Sequence, residues 1–135
     1  MSDLQYLRSV IPNFAGYKNE KTRRLSDEQV RAVAGSALAV LSPARVANNT
    51  NGLQEQWEGL LLKCGFANQL AFKHIQHAQL SDEQTQRLEA ADAQLLHVVQ
   101  RVNETGGEGL RAYLGDFEAA LKARDDAMMG VESPV

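Results

Sequence analysis

The sequence predicts an all-α protein: a four- to five-helix bundle with a short N-terminal helix, an irregular arm and a C-terminal antiparallel αα-hairpin. Three observations carry this. Aromatic residues make up only 6% of the 135 residues and proline is confined to Pro12, Pro43 and Pro134, a balance that favours helices packed through aliphatic side chains over a sheet. Apolar residues recur in steps of three and four along most of the chain. The pentapeptide Leu-Ser-Asp-Glu-Gln occurs twice, at Leu25–Gln29 and Leu80–Gln84. In each copy a serine (Ser26, Ser81) is placed to cap a helix, a glutamine three residues on (Gln29, Gln84) to close the capping box, and two acids to meet the positive end of the helix dipole. The copies are punctuation rather than a duplicated unit, because beyond them Gly35 would align with Ala90, Leu38 with Ala93 and Ala34 with Glu89.

Asp3–Val10 reads as a short helix capped by Ser2, with Leu4, Leu7 and Ile11 on one face and Pro12 as its stop. Residues 13–24 lack helical periodicity but carry Phe14, Gly16 and Tyr17. These aromatics either pin the segment across the bundle or form an arm that a partner covers. The first long helix is expected from about Asp27 to Leu41, its stripe made of Val30, Val33, Ala34, Ala37, Leu38 and Leu41. Ser42-Pro43 ends it or opens one more turn, and Asn48–Gly52 reads as a turn.

A second helical region spans Leu53–Ala78. Leu53, Trp57, Leu60, Leu61 and Cys64 share a face, Gly65 is placed for a left-handed C-cap with Phe66 packing back, and Leu70, Ala71, Ile75 and Ala78 resume the period. A break at Gly65 is the favoured reading over a bend. Asp82 to about Glu104 presents Leu88, Ala91, Leu95, Val98 and Val102; the last helix presents Leu110, Leu114, Phe117, Leu121 and Met128. Thr105-Gly106-Gly107 between these seams makes the hairpin. Thus residues 1–25 form the N-terminal helix and arm, 26–129 the bundle, and 130–135 a flexible tail.

The chemistry in the sequence excludes more than it assigns. A net charge of −3 argues against a nucleic-acid binder working by bulk electrostatics. Lys18, Lys21, Arg23 and Arg24, opposed by Glu20, are a local exception. They form either a solvated linker or a contact for a phosphate, an acidic partner or DNA. No apolar run of the roughly 20 residues needed to span a bilayer is present, the N-terminus lacks a signal-peptide pattern, and the single cysteine excludes an internal disulfide. Cytoplasmic localisation is the expectation, with no membrane and no nucleic-acid partner.

His74 and His77 lie three apart and His97 follows on the next helix, so a metal or small-ligand site with Trp57, Phe72 or Phe117 in its walls is the alternative reading. A carboxylate-type bundle centre wants Glu-x-x-His, whereas Gln94, His74 and Ala71 stand three before His97, His77 and His74. Cys64 sits among apolar residues that favour an inert, protonated thiol. No phosphate loop, nucleophile elbow or zinc spacing occurs, and Asp125-Asp126 reads as a solvated pair near a helix end. The expectation is therefore a non-enzymatic protein-interaction module without a cofactor, in which homodimerisation is one form the interaction takes. Its interaction candidates are the arm and first-helix residues Tyr6, Phe14, Tyr17, Arg23 and Arg24. Leu96 and Val99, beside the hairpin seam, are the further candidates and would bury themselves in a dimer together with Leu62.

Overall fold

A computed structural model describes residues 2–40, 52–65, 70–101 and 110–131. Among the described residues every regular element is helical: α1 (Asp3–Val10), a 3-10 turn (Glu20–Thr22), α2 (Arg23–Ala39), α3 (Leu53–Gly65), α4 (Leu70–Ile75), α5 (Asp82–Gln100) and α6 (Leu110–Met129). The fold is the expected all-α bundle. The expectations placed on Leu41, Ser42-Pro43, Asn48–Asn51, Phe66, Val102 and Thr105–Gly107 lie outside the described residues.

The hairpin is built as its two seams dictate. Leu88, Leu95 and Val98 of α5 and Leu110, Leu114, Phe117, Leu121 and Met128 of α6 are all buried. The helices run antiparallel, since the Tyr113 hydroxyl donates to the Val99 carbonyl (3.4 Å), Arg101 meets Asp116 (2.7 Å) and Arg124 meets Asp92 (2.6 Å). α1 begins at a complete capping box, Ser2 with Gln5, and packs on α5, where Tyr6 stacks on His97 (ring centroids 4.0 Å apart) and donates to Gln100. Ile11 then turns extended before Pro12.

α2 and α3 lie antiparallel. The Trp57 indole N–H donates to the Leu38 carbonyl (2.8 Å) at one end, and Arg31 bonds the Cys64 and Gly65 carbonyls at the other. Between them Gly35 lets the helices close up: a Cβ there would stand 3.3 Å from that of Cys64. Three expectations need correction. Gly65 is the last residue of α3 and does not take the left-handed conformation, which among the described glycines belongs to Gly16 and Gly52. Val131 is buried and its carbonyl holds the His74 ring, so the start of the presumed tail is packed.

The third correction concerns the first Leu-Ser-Asp-Glu-Gln. α2 begins at Arg23, so Ser26 is inside the helix and caps nothing. Its hydroxyl donates to the Gly16 carbonyl (2.9 Å), fastening the arm to α2. Ser81, by contrast, is the N-cap of α5 with its capping box complete.

Candidate functional site

The interior contains an ionic cluster assembled from four segments. Asp92 stands four residues after Leu88 and three before Leu95, while Arg124 stands three after Leu121 and four before Met128. Both therefore point into the core from seam positions. Arg124 donates to Asp92 (2.6 Å) and to Asp27 of α2 (2.6 Å), and its Nη2 also reaches the Tyr17 hydroxyl (3.2 Å). The Tyr17 hydroxyl in turn donates to Asp92. Arg31, one turn after Asp27, closes the set with two bonds to that carboxylate, at 2.8 and 3.0 Å. Two carboxylates thus meet two guanidiniums, which is what allows charges to be buried at all. Burial pushes the Asp92 carboxyl up, with Arg124 and the Tyr17 hydrogen bond pulling the other way. Burial also drives the Tyr17 phenol well above its usual range, reinforced by the Asp92 charge. Burial alone would weaken the charge on Arg124, but Asp92, Tyr17 and Asp27 hold it firmly protonated.

Two arginines of α2 also cap the ends of neighbouring helices. Arg31 takes the last carbonyls of α3, and Arg23 donates to Ile75 and Ala78 (both 2.8 Å), to Gln76 (3.3 Å) and to Tyr17 (2.6 Å). Cations at helix C-termini complement the dipole and satisfy orphan carbonyls. The basic cluster read from the sequence is thereby divided: Arg23 is a buried strut, while Lys18, Lys21 and Arg24 remain on the surface, Arg24 lying over the Phe72 ring at 5.6 Å.

The cavity beside this cluster measures about 20 Å³, room for roughly one water molecule. Arg31, Lys63 and Asp125 are among its lining residues. A shallower groove of about 420 Å³ runs along the hairpin between Gln94 and Val98 on one side and Ala119, Ala120 and Ala123 on the other.

The three histidines are not brought together. His74 bonds the Val131 carbonyl, exposed His77 pairs with Glu20 (2.5 Å), and His97 stacks on Tyr6. Among the described residues no three His, Cys, Asp or Glu side chains are grouped so that they could hold a metal ion. Cys64 is buried, and burial raises its thiol to about 11. Asp125 is a half-buried member of α6 rather than a residue at a frayed end, and Asp126 pairs with Lys122 (2.8 Å).

Most interaction candidates turn out to be core. Phe14 and Tyr17 pack edge to face inside the molecule, with ring centroids 6.0 Å apart, so the arm is pinned. Leu96 and Val99 are buried within one copy of the chain, because α5 is covered on several sides and not along one seam. Tyr6 is half-buried against His97, and Arg24 is exposed.

The surface that stands out is the outer side of α2. Leu25 (52% exposed) and Val40 (58%) bracket it, and between them lie the exposed Glu28, Ala32, Ser36 and Ala39. From Ala32 to Val40 no charged residue occurs. The outer sides of α5 and α6 carry instead Glu83, Arg87, Arg111, Asp116, Glu118 and Lys122, the usual dress of a solvated helix. α2 therefore has two apolar seams, and only the one through Val30, Ala34 and Leu38 is buried. The signal for the second, at Leu25, Ala32 and Ala39, is present in the sequence but is overshadowed by the stronger inner stripe. Among the described residues no helix is long and apolar enough to cross a membrane. No family model, no curated protein and no solved structure matches this chain.

Proposed function

We propose that the chain is a non-catalytic interaction module of the cytoplasm that receives a partner's helix on the outer face of α2. The observation that carries this reading is the charge-free outer face formed by Ala32, Ser36, Ala39 and Val40 on a helix whose opposite face is already buried. An apolar helix stripe left facing water marks an interaction surface. The rest of the molecule is suited to presenting it. The Ser26–Gly16 bond ties α2 to the arm and the ionic cluster ties it to α5 and α6, so the face is held on a rigid frame. The main interior polar groups pair with one another around a cavity too small for a substrate, which supports a binding role over a catalytic one.

The test compares elution of the full chain from a native cell extract with that of two charge-bearing variants. Wild type is expected in a species larger than one chain, and Ala32→Glu with Ala39→Glu is expected to return it to the size of a single chain. Ala119→Glu with Ala123→Glu, on the exposed face of α6, should leave the large species intact. Wild type eluting as one chain, or equal behaviour of the two variants, would refute the assignment. Sedimentation of purified protein distinguishes self-association from capture of another protein.

A further inference from the structure

We infer that the partner segment is an amphipathic helix with an acidic end, its acidic residues lying over the start of α2 and its apolar stripe along Ala32–Val40. This rests on the docking reading above and adds the chemistry of the occupant. Charge complementarity around the same face defines this occupant. At the start of α2, Lys18 faces Asp82 (3.8 Å) and the Glu20 carboxylate bonds the His77 ring (2.5 Å), so both have local partners. Exposed Lys21 and Arg24 are different: among the described residues no carboxylate pairs with either, nor with exposed Lys73.

Two chain segments supply these three cations. Lys21 lies in the turn that runs directly into α2, Arg24 lies over Phe72 of α4, and Lys73 follows Phe72. The acid on the outer stripe is Glu28, which leaves a positive surplus at this end of a chain whose net charge is −3. The positive end of the α2 dipole adds to it. A positive end followed, past Glu28, by an apolar stripe selects a ligand with the inverse pattern: carboxylates at one end, aliphatic side chains along the rest. A basic or uniformly apolar helix would leave the pole unmatched.

The experiment uses the full chain with a photoreactive benzoylphenylalanine at Ala32, irradiated in native extract, with the adduct peptide sequenced. The expected adduct is a helix-forming segment of another protein with an acidic end. Its yield should fall about tenfold in Lys21→Glu with Lys73→Glu, and should also fall as salt is raised. That pair leaves the Arg24–Phe72 contact in place, and circular dichroism confirms that the variant is folded. If its fold is lost, Lys21→Gln with Lys73→Gln gives the same comparison, with a smaller expected fall. An adduct without an acidic end, or one whose yield ignores charge and salt, overturns this inference but leaves the docking face standing. An adduct to a second copy of this chain assigns the face to self-association and likewise overturns it. No adduct at Ala32 removes both readings.

Discussion

The same five residues do different work at the two places where they occur. At 80–84 they begin α5: Ser81 is extended, its hydroxyl accepts the Gln84 amide and the Gln84 side chain returns to the Ser81 amide. At 25–29 they lie within α2: Ser26 is buried on the Gly16 carbonyl, and Asp27 is buried between Arg124 and Arg31. The difference comes from what precedes them. Upstream of Leu80 the chain has left α4 and is irregular, so a cap is needed. Upstream of Leu25, Asn19 accepts the Lys21 amide and starts a 3-10 turn that runs straight into Arg23, so the helix is already under way. Local capping chemistry offers a helix start; tertiary contacts decide whether it is used.

The largest test of this contrast removes the aspartate from each copy. Asp27→Ala leaves the Arg124–Asp92 centre and Arg31 short of a buried carboxylate and should cost about 3–5 kcal/mol, as removal of one partner from a buried ion pair does. Asp82→Ala removes an exposed first-turn acid and should cost about 0.3–1 kcal/mol. Urea denaturation of both variants checks it, and near-equal losses would break the comparison.

A titration sharpens the same contrast. Burial raises the carboxyls of Asp92, Asp125 and Glu89 above their ordinary 3.8 and 4.5, and Asp27 is among the charges that raise the first two. A raised pKa means that the folded state binds protons the unfolded chain releases, so stability falls as pH climbs from that range towards neutrality. Exposed Glu20, lowered mainly by its His77 hydrogen bond, opposes this weakly. Asp27→Asn should flatten the slope, read by urea midpoints across pH. A slope of opposite sign in wild type would contradict the electrostatic account.

Much of the architecture was legible in the residues. Ser2, Ser81 and the hairpin seams follow from spacing and local chemistry, because each signal lies within one or two turns. The ionic cluster was not read, since its members are separated by tens of residues and nothing local names the partner of a given charge. A clue did exist: Asp92 and Arg124 occupy core positions of their helices, and a charge at such a position demands a buried counterpart. Leu96 and Val99 lie beside the seam read from spacing yet are buried, because α1, α2 and α6 all pack on α5. The candidate face on α2 was legible only once the structure showed which of its two apolar stripes is buried.

The most direct measurement of the central contrast replaces each serine by alanine and by glycine. At Ser81, a true N-cap, glycine should be tolerated better than alanine, costing a few tenths of a kcal/mol against about 1. At Ser26, inside a helix, the order should reverse, with glycine worse than alanine by about 1 kcal/mol; both replacements lose the Gly16 bond equally, so it cancels. The account predicts opposite signs at the two sites in equilibrium unfolding. The same sign at both would mean that the two copies play one role, and would contradict it.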